Sequence, residues 1–316
     1  MDRNLALEVV RVTEAAALES ARLMGRGDAA AVDEAATQAM RRAFDAIGAE
    51  AVVVIGEEDD GVLAVGQKLG SSGGDVVPID VALDALEGAT VCATGGANAL
   101  SIILIGERGR ILACPETYME KLAVGPEGRG VVDIDRSPTD NLKALAEAKG
   151  VYVEDLTAVV LDRPRHSRLI EEVRRAGARV QLLADGDLAA AIATGRPGSG
   201  IDIVLGIGGA QQGVLAAGAI ECLGGEFQGR FKPLTSDEVS RLTRAGIEDQ
   251  ARRYRAVDLV GEKVMFAATG VTRGHLLAGV QFRRGGATTN SVVMRSQSRT
   301  VRWIEAQHHF DLKPEY

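Results

Sequence analysis

Thr157-Ala158-Val159-Val160-Leu161 is an apolar pentapeptide that runs straight into Asp162-Arg163-Pro164-Arg165-His166. A short continuous apolar run closed by a proline turn reads as a strand buried on both faces. The pattern then repeats downstream: helical spacing over 167–176, a strand over 179–183, a helix over 187–193, a strand over 201–205 and a helix over 210–220. Such alternation predicts βαβ units and a parallel sheet. Ligands on parallel sheets collect beyond the carboxyl ends of the strands. Those ends here are Asp162–His166, Asp185-Gly186-Asp187 and Gly206-Ile207-Gly208-Gly209, so three polar or glycine-rich turns share one edge.

Upstream the rhythm differs. Residues 4–24 read as an amphipathic helix with Leu5, Val9, Val12, Ala16 and Leu23 near one face, and Gly25 as its C-cap. Asp28 caps a second helix reaching about residue 47. Strands are expected at 52–55, 62–66 and 76–83, and a hairpin joins 99–105 to 110–114 across Gly106–Gly109. Ser137-Pro138 starts a helix that ends near Lys149. These readings divide the chain into a half over 1–150 with a mixed or antiparallel sheet and a parallel α/β half over 151–316 with a C-terminal return. No stretch has linker composition, so the two halves form one integrated unit.

The chain has 316 residues, 46% of them hydrophobic but only 3% aromatic, so Ala, Val, Leu and Ile must fill the core. A net charge of −8 argues against a nucleic-acid binder, which normally carries a basic footprint. Cys92, Cys114 and Cys222 are widely spaced and form no CxxC, as buried reduced thiols do. No apolar run reaches the roughly 20 residues needed to span a bilayer, and the N-terminus carries acids without a compact apolar segment. The expectation is a soluble cytoplasmic protein.

Asp84-Ala85-Leu86-Glu87-Gly88 follows an apolar, strand-like run and sets two carboxylates three residues apart. Hard oxygen ligands at a strand end suit Mg²⁺, which is usually held by one or two carboxylates plus substrate phosphate. Gly56-Glu57-Glu58-Asp59-Asp60-Gly61 also follows a strand, and it is either a solvated acidic loop or part of a metal site. Arg163 and Arg165 can hold a phosphate by forked hydrogen bonds, and Asp185 and Asp187 can accept from hydroxyls, although Asp187 alone is more often an N-cap. His166 reads as a structural donor beside the arginines.

Across Arg11–Ala16, Gly25-Arg26-Gly27-Asp28, Val54-Ile55-Gly56-Glu57, Ala97–Leu100, Tyr118–Leu122, Pro164-Arg165-His166, Asp185-Gly186-Asp187, Ile207–Ala210 and Ser298–Arg302, the chain resembles the class II (GlpX-type) fructose-1,6-bisphosphatases. These belong to the lithium-sensitive, metal-dependent phosphatases related to inositol monophosphatase. The resemblance implies an α/β (α+β) fold, a layered α-β-α-β-α sandwich that hydrolyses a sugar bisphosphate with Mg²⁺ or Mn²⁺ and works as a homodimer or homotetramer. It also implies metal ligands at Asp33, Glu57, Asp84, Glu87 and the position of Gln212. Substrate contacts would come from Glu87, Gly88, Ala89, Tyr118, Arg163, Pro164, Arg165, Asp185, Gly186, Asp187 and Gly209.

The chain departs from the family pattern near the chemistry. Ala89 stands where the family has a threonine that positions the attacking water, with Thr90 next to it. Gln212 replaces a glutamate ligand, and Ala29 a lysine. The acidic loop is shorter, leaving Asp59 or Asp60 as the candidate base. Two readings therefore stand at this point: an active phosphatase with an altered site, or a sugar-phosphate-binding or partner subunit that has lost turnover.

Overall fold

The computed structural model describes residues 5–57, 61–71 and 78–312. Helix α1 (Leu5–Ala21) turns Val9, Val12, Ala16 and Ala17 into the core. The Asp28 carboxylate accepts from the Ala31 N–H at 3.0 Å and caps α2 (Ala29–Asp45). That helix buries Val32, Ala36, Met40 and Phe44 at every fourth position. There follow β1 (Glu50–Ile55), β2 (Lys68–Leu69), β3 (Pro78–Glu87), α3 (Ala89–Ala93) and β4 (Leu100–Glu107).

Next come β5 (Tyr118–Val124), α4 (Pro138–Lys149), β6 (Thr157–Leu161), α5 (Ser167–Arg175), β7 (Arg179–Leu183), α6 (Asp187–Thr194), β8 (Ile203–Gly209), α7 (Ala210–Leu223), β9 (Glu226–Phe231), α8 (Ser236–Arg244), β10 (Tyr254–Arg255) and α9 (Ala256–Val260). The C-terminal return is β11 (Val264–Gly270), β12 (Gln281–Arg283), β13 (Gly286–Arg295) and β14 (Thr300–His309). The result is a mixed α/β protein with two mixed sheets. By contact the chain falls into two compact units, Met1–Ile111 with Lys263–Tyr316, and Leu112–Glu262.

In the first unit the sheet runs β12-β13-β11-β4-β3-β1-β2, with β14 paired to β13. Its one parallel pair is β1 with β3; the other pairings are antiparallel. Helices α1 and α2 cover the face carrying Val81, Leu83, Ile103, Ile105, Ala267 and Val293. Polar groups caught under α1 pair with one another, as burial requires. The Thr13 hydroxyl meets that of Thr269 at 2.7 Å, which meets Ser291 at 2.8 Å, and Thr289 donates to Glu14 at 2.9 Å.

The second unit's sheet runs β10-β9-β5-β8-β6-β7. Strands β8, β6 and β7 are parallel, as the alternation over 157–220 predicts, while β5, β9 and β10 join them antiparallel. Leu122, Val124, Ala158, Ile203 and Leu205 form the core toward α4 and α5. Ser137 caps α4 by accepting from the Asp140 N–H, with Pro138 in its first turn, as expected.

Several local expectations are corrected. No hairpin joins 99–105 to 110–114: β4 continues to Glu107, and 110–114 is not a strand but bonds outward through the Leu112 N–H to Leu259 O at 2.7 Å. Residues 62–66 form a turn, with Leu63 at φ 70° and only an isolated bridge between Ala64 and Glu57. Asp84 and Glu87 lie within β3 rather than after it, separated by a register shift. Gly206–Gly209 is also strand rather than loop, because these residues pair with Lys121–Tyr118 of β5.

Candidate active site

The acid set lies in the first unit. The parallel pairing of β1 with β3 ends at Ile55 and Ala82, and Glu57, two residues further on, bridges Ala64. Thr37, one helical turn beyond Asp33 on α2, donates to Glu57 Oε1 at 3.4 Å and so brings the Asp33 face of that helix to the same strand ends. Glu87 follows at the end of β3 and is 6% exposed. Burial holds the Asp33 carboxyl above its ordinary value, a direction that a neighbouring cation would reverse.

These are hard oxygen donors and their chemistry fits a divalent cation of the magnesium type. Among the described residues, however, no group of three or more His, Cys, Asp and Glu is arranged to hold a metal ion. Asp59 and Asp60 lie outside the described residues. Gly88 has φ 85° and turns the chain from β3 into the short helix α3, a left-handed conformation that glycine adopts without strain. Ala89 and Thr90 are the first two residues of that helix, and Thr90 is exposed. Successive helical positions point about 100° apart, so Thr90 does not stand where a hydroxyl at 89 would.

The cradle lies in the second unit, at the shared edge of β6, β7 and β8. Arg165 donates to Ile207 O through Nε at 3.2 Å and Nη2 at 2.8 Å, and its guanidinium carbon sits 5.1 Å from the Tyr118 ring centroid. The arginine is thus fixed before any ligand arrives. Arg163 donates to Asp162 O, and exposed Pro164 sets the turn between the two arginines. Asp185 accepts from the Gly186 N–H at 2.9 Å, Gly186 has φ 86°, and Asp187 is the first residue of α6.

The glycine run is closely packed on one side. A Cβ on Gly206 would meet His166 Nε2 at 3.0 Å, and one on Gly208 would meet Asp187 Oδ2 at 2.5 Å and Lys121 Nζ at 2.8 Å. A Cβ on Gly209 would fall on the Gln212 amide oxygen. The missing side chains make room for buried polar groups on the α6–α7 side of the sheet.

His166 is 2% exposed. Its Nδ1 donates to Leu161 O at 2.7 Å and its Nε2 accepts from the Ile207 N–H at 2.8 Å. That pairing fixes one neutral tautomer. Burial, followed by the charges of Arg165 and Arg163, pushes its pKa down, against the pull of the Leu161 carbonyl. The expectation of a structural histidine holds.

Lys121 is the residue that sequence reasoning missed. It is 5% exposed and bonds Asp187 Oδ2 at 2.5 Å. Its signal was parity, because Lys121 shares a strand face with Met119, which is fully buried. The three cysteines are buried and free, and burial pushes Cys92 up to about 11 and Cys114 up to about 12, so both are poor nucleophiles at neutral pH. No helix among the described residues is long and apolar enough to cross a membrane.

Hard oxygen donors in the first unit, and two arginines beside Asp185 and Asp187 at a strand edge in the second, are residue types suited to phosphate-ester chemistry. The sequence matches the family described as "Bacterial fructose-1,6-bisphosphatase, glpX-encoded" over residues 3–308, and the chain belongs to that family. It is 41% identical over 337 aligned positions to the "D-fructose 1,6-bisphosphatase class 2/sedoheptulose 1,7-bisphosphatase" of Synechococcus elongatus, covering 98% of each chain. A protein of the same description from Crocosphaera subtropica is 40% identical over 334 positions, covering 98% of this chain and 97% of that one.

Proposed function

We propose that this protein is a phosphoric monoester hydrolase that converts a sugar bisphosphate, fructose 1,6-bisphosphate or sedoheptulose 1,7-bisphosphate, to the sugar monophosphate and inorganic phosphate. The observation that supports the reading is the family match over residues 3–308, and in the acid set the Thr37 hydroxyl ties helix α2 to Glu57 at 3.4 Å. Asp33, Glu57, Asp84 and Glu87, all of the first unit, would hold Mg²⁺ or Mn²⁺. When bound, such an ion polarises the phosphoryl group and lowers the pKa of water.

The chain's own groups do the rest. Arg163 and Arg165 bind the non-reacting phosphate, and Arg165 retains its Nη1 edge for that purpose because Nε and Nη2 are taken by Ile207 O. Tyr118 backs the guanidinium, while Asp185 and Asp187 accept from sugar hydroxyls. Asp59 or Asp60 takes the proton of the attacking water. Glu87, Gly88 and Ala89 complete the substrate contacts with Pro164, Gly186 and Gly209, and Thr90 is the nearest hydroxyl to the altered turn. The finer parts of the same reading are a cytoplasmic location and a homodimer or homotetramer.

The test is phosphate release from both bisphosphates with Mg²⁺ or Mn²⁺, against an EDTA control. Turnover that disappears in Asp84→Asn is the expected result. Tight binding of fructose 1,6-bisphosphate without turnover under any of these conditions would overturn the enzyme reading in favour of a sugar-phosphate-binding subunit.

A further inference from the structure

The Lys121–Asp187 pair is costly to bury. Lysine and aspartate side chains at 5% and 14% exposure surrender most of their hydration, and a buried ion pair is often no more stabilising than apolar residues of the same volume. Met119, on the same strand face two residues earlier, shows that an apolar side chain packs there. Room for the pair comes from absent side chains: Gly208 lies under its charged atoms and Gly213 under the lysine stem, where a Cβ would stand 3.4 Å from Lys121 Cδ. The ammonium takes Oδ2 of Asp187. Oδ1 accepts no hydrogen bond from any described residue.

We propose that Lys121 is a positioning residue for the sugar: by pinning Oδ2 of Asp187 it fixes the carboxylate at the end of β7 and leaves Oδ1 to accept from a hydroxyl of the bound sugar phosphate. This rests on the sugar-phosphatase reading above. It makes Lys121 act on recognition of the sugar and not of the phosphate, although its ammonium lies close to Gly208 near the end of β8. Arg163 and Arg165 belong to the other end of the division of labour.

The experiment compares fructose 6-phosphate with inorganic phosphate, both titrated calorimetrically into the full chain and its variants, alongside KM and kcat for fructose 1,6-bisphosphate. Lys121→Met keeps the stem and removes the charge. The expected result is a roughly ten- to hundredfold rise in Kd for fructose 6-phosphate and in KM, with kcat and the Kd for inorganic phosphate within about threefold of wild type. Gly208→Ala, which drives a methyl group into the pair without touching its charges, should shift the same two constants in the same direction.

Equal weakening of both ligands by Lys121→Met would make the lysine a direct phosphate contact and overturn the proposal. A fall in melting temperature with every constant unchanged would make the pair a structural clip and overturn it as well. If wild type binds fructose 6-phosphate but hydrolyses nothing, the catalytic reading fails while the comparison of the two ligands still decides the role of Lys121. A wild type that binds neither ligand overturns both.

Discussion

His166 holds two strands with one ring. Leu161 ends β6 and Ile207 lies in β8, and the ladder between those strands pairs only Ala158 with Ile203 and Val159 with Val204. Beyond it the imidazole replaces the missing strand–strand bonds. His166→Ala should therefore orphan two buried backbone groups and cost roughly 2–4 kcal/mol, measurable by urea unfolding at pH 8. The pH dependence has a fixed sign. The unfolded chain takes up a proton near pH 6.5, whereas burial depresses the folded-state value. Between the two values the unfolded state binds more protons. Stability is thus complete above about pH 6.5, declines as pH falls toward the folded-state value, and levels off below it. His166→Ala should flatten the wild-type slope between pH 7 and 5; an unchanged slope would mean that other groups set it. At the chemistry, Ala89→Thr combined with Gln212→Glu restores a hydroxyl and a carboxylate. One positioned transition-state donor is worth about 10²–10³ in rate, so the double variant should raise kcat at least tenfold. No gain would mean that the site has been rebuilt around Ala89.

Helix α2 carries Asp33 and Thr37, and its start depends on one residue. Asp28→Ala removes the bond to the Ala31 N–H and should destabilise the protein by about 1 kcal/mol, read as a shifted denaturant midpoint with an unchanged slope. A loss near zero would mean that packing of Val32, Ala36, Met40 and Phe44 alone sets the helix start. That cap was legible in Gly-Arg-Gly-Asp because capping is local. The βαβ rhythm over 157–220 was legible for the same reason, since each strand and its helix are contiguous in sequence. Strand β11 was not legible. Val264–Gly270 is buried at every position and lacks the alternation that marks a half-buried strand, and its partners are β4, some 160 residues earlier, and β13. The false hairpin at 110–114 has a related cause. Ile111 and Cys114 are buried, so the segment has strand-like apolarity, but its Leu112 N–H bonds Leu259 of helix α9 instead of β4.

For the molecule as a whole, the strand–helix alternation placed the chain correctly among α/β proteins but gave no hint that strands from both ends of the sequence build one sheet. The candidate site was legible to the extent that its residues stand in short ordered motifs. Lys121 escaped because its parity with Met119 marks a shared strand face but not that the face is buried, which follows only from the pairing of β5 with β8 and the helix over it. The acid set leads to a prediction at this scale. Asp33 comes from α2, Glu57 from the segment after β1, and Asp84 and Glu87 from β3, all in the first unit, so any joint site exists only in the folded chain. A divalent cation that binds the native state alone stabilises it by about 2.7 kcal/mol at a hundredfold excess over Kd. At roughly 2–4 °C per kcal/mol for a chain of this order, saturating Mg²⁺ or Mn²⁺ should raise the melting temperature by about 5–10 °C, and EDTA should reverse the rise. Asp84→Asn should abolish most of it, because a neutral amide replaces an anionic ligand at the strand end. A wild-type melting curve indifferent to both ions would show that the four carboxylates do not act together on a metal.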